Sequence, residues 1–414
     1  MSAVPQIISW NLTRVCNLAC SHCYLDAVQR KCEAGDELTL AEAEDIVAQI
    51  AATAPGAMLV LTGGEPLLRR DLESIVAAAA RQGLMPVIGT NGTLLDAERA
   101  AALRAAGAMG VGISLDSPEP DFHDRLRGQP GAWEGAMRGI AAAQAAGLAV
   151  LIQTTLLAEN RRQIAAITNL AAELGAVAIN FFFLVCTGRG VTQTDLDQDA
   201  YEQCLSEIAT LSQQREDLIV RARCAPYLRR MLGLKASQRG GGYAEWSSAC
   251  LAGRSYFRIT PQGLVTPCPY LPQAVGDLRR EKLADIWTEA PALRTLRLGI
   301  PGGKCGDCDY RVSCGGCRAR AFATSGNLMG EDEKCGYIKA RDAAAEQHPA
   351  EMAEMVWAED AERVLERIPG FVRVRVRGMI EKKARDAGIT LITTEFMSRH
   401  RPPMSVMARF GSRQ

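Results

Sequence analysis

The chain has 414 residues, of which 48% are hydrophobic and 23% are charged, the composition of an ordinary globular protein. Lysine plus arginine equals aspartate plus glutamate at 47 each, so net charge provides no general attraction to nucleic acid or to anionic lipid. No apolar run reaches the roughly 20 residues that a membrane-spanning helix needs, and the first ten residues lack the pattern of a secretory signal. We therefore expect a cytoplasmic protein of two or three domains.

The first half of the chain alternates short β-rich segments with alanine-rich helical segments. The candidate strands are Gln6–Leu12, Met58–Leu61, Met85–Gly89, Gly110–Leu115, Val150–Leu156 and Val177–Leu184, and the candidate helices are Leu40–Ala52, Asp71–Arg81, Asp96–Ala106, Gly135–Ala146 and Arg162–Leu174. Thr39 and Glu42 have the spacing of a capping box before the first helix. This alternation predicts right-handed βαβ units and a parallel sheet. Six units are too few for a closed eight-unit barrel, so we expect an α/β fold, a partial (βα)6 barrel of the TIM type with its chemistry at the carboxyl ends of the strands.

From about Arg221 the segments become short, turn-rich and cysteine-rich. Such a stretch has too little apolar content to pack alone, and we expect bound metal to hold it. After Cys335 the apolar spacing predicts helices over Glu351–Ile368 and Phe371–Ala387 and a short helix over Thr394–Arg401. The expected domains are therefore a barrel over 1–220, a cysteine-rich domain over 221–345 and a small helical domain over 346–414.

Fourteen cysteines are unevenly distributed along the chain. Clustered cysteines in a cytoplasmic protein indicate metal binding rather than disulfides. Cys16, Cys20 and Cys23 share one short loop after the first predicted strand, and three thiolates can hold three irons of a [4Fe–4S] cube. The fourth iron is then free to chelate a small molecule through an amine and a carboxylate. A zinc loop is the alternative, but zinc prefers four closed ligands, and His22 within the loop is expected to point away.

The loop pattern Cys16-x₃-Cys20-x₂-Cys23 resembles the signature of the radical S-adenosylmethionine (SAM) superfamily. Three later segments resemble the same family, each at the end of a predicted strand: Gly63-Gly64-Glu65-Pro66, Thr90-Asn91-Gly92 and Ser114-Leu115-Asp116, followed by a segment that contains Arg127. The resemblance covers roughly residues 5–190. It implies that SAM and a [4Fe–4S] cluster are the cofactors.

The same resemblance implies roles for individual residues. The bare backbone of Gly63–Pro66 would bind the methionine amino group, Ser114 and Asp116 would face the ribose hydroxyls, and Arg127 is a candidate partner for the methionine carboxylate. Tyr24 would shield the cluster and the base of the ligand. The expected cofactor-binding residues are Tyr24, Gly63, Gly64, Glu65, Pro66, Asn91, Ser114, Asp116 and Arg127.

A second set of cysteines resembles the seven-cysteine SPASM extension of radical enzymes, which carries one or two auxiliary iron–sulfur clusters. Its members are Cys250, Cys268, Cys305, Cys308, Cys314, Cys317 and Cys335. By resemblance Cys305, Cys308, Cys314 and Cys335 would ligate one cluster, and Cys250, Cys268 and Cys317 the other. One iron of the second cluster would be open or bound by a further residue, for which Cys224 is a possible ligand. The spacing Cys314-x₂-Cys317 departs from the usual x₃. Two structural zinc ribbons are the alternative.

Further segments resemble the tetrapyrrole branch of these enzymes, which includes haem synthase and enzymes of haem d1 biosynthesis. They are Phe181–Gly190, Cys224-Ala225-Pro226 and Cys314–Ala321, although Cys186 replaces a usual proline and Tyr227 an expected histidine. Segments between Trp357 and Thr393 resemble the C-terminal domain of the light-independent protochlorophyllide reductase B subunit. The basic character of this tail fits contact with propionates, a partner-docking site or an ordinary solvated surface equally well.

These resemblances imply a radical SAM oxidoreductase that acts on a tetrapyrrole. Reductive cleavage of SAM would yield a 5′-deoxyadenosyl radical, which removes hydrogen beside a propionate; carbon dioxide leaves and an auxiliary cluster takes the surplus electron. No side chain is needed as a general base. A flavodoxin or ferredoxin is the expected electron donor. The alternatives are a SPASM-type peptide maturase and, outside enzymes, an iron–sulfur carrier.

Overall fold

The computed structural model describes residues 4–29, 35–185, 187–192, 195–233, 250–339, 356–366 and 391–400, with isolated positions at 32 and between 373 and 389. Cys186 lies outside the described residues. Met1–Glu346 forms one compact unit and Gln347–Gln414 a second. No helix in the described part of the chain combines the length and the apolar composition that crossing a membrane requires.

Within the described residues, ten strands of the first unit form one sheet in the order β10-β9-β8-β1-β2-β3-β4-β5-β6-β7. They are β1 (Ile7–Asn11), β2 (Met58–Thr62), β3 (Met85–Thr90), β4 (Gly110–Ser114), β5 (Ala149–Leu156), β6 (Ala178–Phe183), β7 (Ile219–Arg223), β8 (Tyr256–Ile259), β9 (Leu264–Thr266) and β10 (Gly276–Asp277). Neighbouring strands from β1 to β7 are parallel, and β8 is parallel to β1. Strand β9 pairs antiparallel with both β8 and β10. The parallel strands build the expected open barrel.

The helices of the first unit connect these strands. They are α1 (Leu40–Thr53), α2 (Leu72–Arg81), α3 (Ala97–Ala106), α4 (Pro120–Arg127), α5 (Ala132–Ala145), α6 (Ile164–Glu173), α7 (Gln198–Gln214), α8 (Leu228–Met231), α9 (Leu283–Glu289), α10 (Pro291–Leu298), α11 (Gly303–Gly306) and α12 (Arg318–Ser325). The capping box before α1 is confirmed, because Glu42 N–H donates to Thr39 Oγ1 and Thr39 N–H donates to the Glu42 carboxylate.

The two faces of β1 show how the sheet separates core from site. Successive side chains of a strand point to opposite faces. Ile8 and Trp10 are fully buried in the main apolar core, which also contains Ile46 of α1. Ser9 and Asn11 are polar and occupy the alternate positions. On β1, the face opposite the apolar core therefore carries the polar side chains of Ser9 and Asn11. Asn11 lies at the carboxyl end of the strand.

Two of the elements that the sequence analysis missed lie at the end of the barrel. Helix α7 buries Tyr201, Cys204 and Ile208 on one face, and β7 pairs parallel with β6. Strand β7 is a seventh parallel strand beyond the six expected, and it runs across the position at which we placed the end of the barrel domain. Because it is short and contains two arginines, its composition does not predict a strand.

The cysteine-rich stretch is also less isolated than predicted. Phe257 of β8 and Trp287 of α9 belong to the same apolar core as the barrel helices. Strand β8 extends the barrel sheet by pairing with β1. Packing against the barrel therefore also holds this stretch, in addition to the metal that the sequence predicts.

In the second unit, β11 (Val356–Trp357) pairs parallel with β12 (Leu391–Ile392), beside α13 (Glu359–Glu366) and α14 (Thr394–Arg399). The predicted helix over Glu351–Ile368 is wrong at Val356–Trp357, and its ends lie outside the described residues. These β-branched and aromatic residues form a strand because they meet a matching apolar pair, and Ala358 N–H donates to Ile392 O at 2.9 Å. The described residues between 373 and 384 are helical, as predicted.

Candidate active site

The first cysteine loop leaves the carboxyl end of β1. Cys16 is buried, and its Sγ accepts a hydrogen bond from Leu18 N–H at 3.4 Å. Burial raises the pKa of Cys16 to about 12 and also raises the pKa of Cys20. Each described cysteine of the chain is a free thiol. Buried thiols of this kind become thiolates when a metal cluster supplies positive charge.

Two glycines at the end of β2 hold this loop in place. Gly64 N–H donates to Thr13 O at 2.7 Å, and Glu65 N–H donates to Val15 O at 2.8 Å. A Cβ on Gly63 would lie 2.5 Å from Thr13 O, and one on Gly64 only 2.3 Å from Val15 O. The glycines are therefore required for the close approach of two backbones. An amino group donates hydrogen bonds, so a methionine amino group at this segment would bind its backbone carbonyl oxygens.

Glu65 ties the ends of β2 and β3 together. Its buried carboxylate accepts hydrogen bonds from Thr90 Oγ1 at 2.7 Å, Asn91 N–H at 2.9 Å and Leu67 N–H at 3.1 Å. Burial raises the pKa of Glu65 to about 7, although the three donors act in the opposite direction. Pro66 begins a short 3₁₀ turn that extends to Leu68.

Asn91 connects this group to the cysteine loop. Its Nδ2 donates to Asn17 Oδ1 at 2.9 Å and lies 4.0 Å from Cys16 Sγ. Ser114, half-buried, ends β4 in register with Gln153 of β5. Residues at the ends of β2 and β3 therefore contact the loop.

A buried ion pair occupies the other side of the loop. Arg127 Nη2 and Nε lie 2.6 and 2.7 Å from Asp116 Oδ2, and Arg127 Nη1 lies 3.9 Å from Cys20 Sγ. Burial alone would raise the pKa of Asp116, but the Arg127 charge, together with His22, His123 and a hydrogen bond from Thr155 N–H, lowers it overall. The carboxylate and the guanidinium hold each other beside Cys20. Their separate contacts with SAM stay predictions.

Tyr24 packs toward the cysteine-rich region. Its hydroxyl accepts a hydrogen bond from Asn11 Nδ2 at 2.9 Å, and Asn11 Oδ1 accepts one from Arg258 Nε. The rings of Tyr24 and Tyr270 are 5.5 Å apart, and Tyr270 follows Cys268 by two residues. The aromatic residue after the first loop is thus in contact with the segment that carries a second-set cysteine.

His22 lies within the loop, and its expected orientation away from a bound metal stays a prediction. Its Nδ1 is buried and has no hydrogen-bond partner among the described residues. Burial, with the Arg127 charge next, lowers the pKa of His22 to about 4, so the imidazole is neutral at pH 7. The loop has the features that a [4Fe–4S] cluster requires. It carries three thiols, backbone contacts that exclude side chains surround it, and the buried His22 Nδ1 lacks a hydrogen-bond partner among the described residues.

The second set of cysteines divides into two groups. In the first group, burial raises the pKa of Cys314 well above its usual value, and the neighbouring Cys335 and Cys305 raise it further. Burial likewise raises the pKa of Cys308 to about 11, with the same two sulfurs acting on it. Backbone N–H groups donate to Cys308, Cys305 and Cys314 at 3.3 to 3.5 Å. These four residues are the predicted first auxiliary set.

The second group contains Cys224, Cys250, Cys268 and Cys317, which share one apolar cluster. Burial, then Cys317 and Cys250, raise the pKa values of Cys224 and Cys268. Cys224 has φ of +57°, a left-handed backbone that is strained for a residue with a side chain. The structure therefore brings the possible fourth ligand to the other three.

The distances between these groups bear on the zinc alternative. Among the described residues, no three His, Cys, Asp or Glu side chains are close enough to hold one metal ion. A zinc ion needs ligands that converge to about 2.0–2.3 Å from a single point. In a cube each thiolate binds a different iron, so a set can be more widely spaced.

Sequence reasoning missed Asn11, Arg258 and Tyr270. Asn11 carried a usable signal, because it is a polar residue at the end of a predicted strand. The other two act through contacts between distant segments. No local pattern marks such residues.

Three family models match the chain. The radical SAM superfamily matches residues 10–171, and an iron–sulfur cluster-binding SPASM domain matches residues 250–318. The proto-chlorophyllide reductase 57 kD subunit model matches residues 357–401.

Relatives extend the similarity to most of the chain. It is 37% identical over 345 residues to the AdoMet-dependent heme synthase of Methanosarcina barkeri, covering 81% of this chain and 98% of that protein. It is 34% identical over 350 residues to the AdoMet-dependent heme synthase of Nitratidesulfovibrio vulgaris, covering 82% and 94%. Streptococcus suis SuiB bound to S-adenosylmethionine has the same fold, with a TM-score of 0.65 at 17% identity over 81% of this chain and 78% of that one.

A parallel partial barrel with a three-cysteine loop after its first strand, joined to a SPASM domain, defines a radical SAM enzyme with iron–sulfur clusters. Its cofactors are SAM, a [4Fe–4S] cluster and auxiliary iron–sulfur clusters in the SPASM domain. Within this class, the chain belongs to the family of the AdoMet-dependent heme synthases.

Proposed function

We propose that the enzyme converts propionate side chains of an iron-containing tetrapyrrole to vinyl groups by oxidative decarboxylation. The observation that carries this proposal is the 37% identity to an AdoMet-dependent heme synthase, of which the chain covers 98%. When bound, the reduced cluster and SAM supply a 5′-deoxyadenosyl radical that takes one hydrogen atom from the side chain. The side chain then loses carbon dioxide and one electron, and a carbon–carbon double bond forms.

In this proposal the two cysteine regions have different tasks. Cys16, Cys20 and Cys23 hold the catalytic cluster, while the strand-end residues Gly63–Pro66, Asn91, Ser114, Asp116 and Arg127 orient SAM. Two auxiliary clusters receive the surplus electron: Cys305, Cys308, Cys314 and Cys335 bind one, and Cys224, Cys250, Cys268 and Cys317 bind the other. Cys224, Cys250, Cys268 and Cys317 share one apolar cluster, and within each group neighbouring sulfurs raise the pKa of one another, which supports this division.

The remaining assignments belong to the same proposal. A flavodoxin or ferredoxin in the cytoplasm supplies the first electron. Barrel, SPASM and C-terminal domains span residues 1–220, 221–345 and 346–414. The last of these domains contacts the tetrapyrrole, which the match of residues 357–401 to a proto-chlorophyllide reductase subunit supports.

The test is anaerobic turnover of the reconstituted full chain with SAM, reductant and iron-coproporphyrin III. We expect the porphyrin to lose one carboxyl group and one hydrogen in each step, with one 5′-deoxyadenosine formed per step. The matched control is Cys32→Ser, which alters an exposed cysteine outside all three groups.

Two outcomes would contradict the proposal. If 5′-deoxyadenosine forms while the porphyrin mass stays constant, the enzyme acts on another substrate. Repetition with other tetrapyrroles and then with peptides would separate a different tetrapyrrole chemistry from a peptide maturase. If no 5′-deoxyadenosine forms with any substrate although the clusters are loaded, the radical chemistry itself is wrong.

A further inference from the structure

A buried ion pair lies between the two auxiliary cysteine groups. Arg320 Nη1 is 3.2 Å from Asp332 Oδ2, and the two side chains are 4% and 0% exposed. Two charges removed from water are costly unless their remaining hydrogen bonds are also satisfied. The other partners of this pair therefore indicate what it stabilises.

Asp332 is bonded to both auxiliary groups. Its Oδ2 accepts a hydrogen bond from Cys317 N–H at 2.7 Å. Its own N–H donates to Cys305 Sγ at 3.5 Å. Cys305 and Cys317 belong to different groups, so one residue fixes a ligand-bearing segment of each.

Arg320 reaches the third segment, which carries Cys224. Its Nη2 donates to Cys224 O at 3.2 Å and to Leu184 O at 3.3 Å. Tyr201 Oη donates to the same Cys224 oxygen at 3.1 Å, and Arg320 Cζ lies 5.0 Å from the Tyr201 ring centroid. The carbonyl of the strained residue thus receives two hydrogen bonds. They hold a backbone conformation that Cys224 would not adopt by itself.

We propose that Arg320 and Asp332 are positioning residues that fix Cys224 as the fourth ligand of the Cys250/Cys268/Cys317 cluster and set the reduction potential of that cluster. Reduction adds negative charge, so a buried cation stabilises the reduced state and a buried anion destabilises it. The inference rests on the auxiliary ligand groups proposed above. It does not depend on the identity of the substrate.

The experiment is a reductive titration of the reconstituted full chain, followed by electron paramagnetic resonance with iron content measured on the same samples. Cys16, Cys20 and Cys23 are all changed to Ala, so that only auxiliary clusters contribute to the signal. Arg320→Gln should lower the potential, and Asp332→Asn should raise it. Each substitution should change the ratio of reduced to oxidised cluster about tenfold at a fixed applied potential. For a one-electron couple this corresponds to a shift of about 59 mV in the midpoint potential.

Opposite signs separate a charge effect from a loosened structure, because general loosening would move both variants in one direction. Arg320→Lys keeps the charge and should stay close to the parent potential. Arg294→Gln and Glu289→Gln alter an exposed ion pair in the same region, with side chains 57% and 72% exposed, and should leave the potential unchanged.

The result that would overturn the inference is a full iron content with unchanged potentials in Arg320→Gln and Asp332→Asn, or shifts of the same sign. If Arg320→Gln fails to retain iron, Arg320→Lys and Asp332→Asn decide the question by the same criteria. None of these measurements involves a tetrapyrrole. A failure of the proposed decarboxylation would therefore leave their outcome unaffected.

Discussion

The first cysteine loop and the auxiliary groups are stabilised in different ways. The loop collects three thiols within Cys16–Cys23, and backbone contacts with Gly63 and Gly64 hold it. Each auxiliary group collects four thiols from segments spread between Cys224 and Cys335, held by apolar packing and a buried ion pair. In the proposed function, three local ligands leave one iron of the cluster free for SAM, whereas four distant ligands enclose a cluster that accepts an electron.

The largest expected effect comes from breaking the loop alone. Cys16→Ser should abolish 5′-deoxyadenosine formation and remove about four irons per chain, because the cluster loses one of only three protein ligands. Chromatography of the anaerobic reaction and an iron assay measure the two losses. The auxiliary signals in electron paramagnetic resonance should remain. Simultaneous loss of those signals would mean that the two regions do not assemble independently.

A smaller effect is expected from opening one auxiliary group. Cys224→Ser should leave SAM cleavage largely intact but lower the ratio of modified porphyrin to 5′-deoxyadenosine by about tenfold or more, because the surplus electron loses its acceptor. Both products are quantified in the same reaction. Cys204→Ala, at a buried cysteine of α7 outside the groups, is the control. An unchanged ratio would show that Cys224 is dispensable for coupling.

The smallest expected effect is on stability and concerns Glu65, which lies beside the loop. Since burial raises its pKa from 4.5 to about 7, the folded state binds the proton more tightly than the unfolded state. The stabilisation is fully present below pH 4.5 and is lost as pH rises through about 7. The wild type should therefore lose about 2 kcal/mol of unfolding free energy between pH 5 and 7 relative to Glu65→Gln.

Anaerobic urea unfolding at several pH values measures this difference. Glu98→Gln on α3 is the matched control and should follow the wild type across the range. A wild-type curve parallel to that of Glu65→Gln would show that the three hydrogen bonds, rather than burial, govern the charge of Glu65.

The sequence was most informative where a pattern is local. The six predicted strands lie within one or two residues of β1 to β6, because each has a short apolar run between turn residues. The cysteine loop and the segment Gly63–Pro66 were recognised in the same way. Their order along the chain already placed both at strand ends, where the structure brings them into contact.

Sequence was least informative where partners are distant. The left-handed backbone of Cys224 depends on Arg320 and Tyr201, which are far from it in the chain. Val356–Trp357 was predicted as helix because Val356 continued an apolar helical spacing, but its strand depends on Leu391–Ile392. Local composition cannot specify such pairings, since the energy lies in contacts that form only when the chain has folded.

Pairing of β8 with β1 has a consequence for synthesis on the ribosome. Ile7 is paired with Tyr256, so one edge of β1 lacks its partner until some 250 further residues have been made. At elongation rates of about 5–20 residues per second, this interval is on the order of 10–50 s. An unpaired edge invites pairing with other chains. The speed of translation therefore determines how long each nascent molecule needs protection from its neighbours before its sheet can be completed.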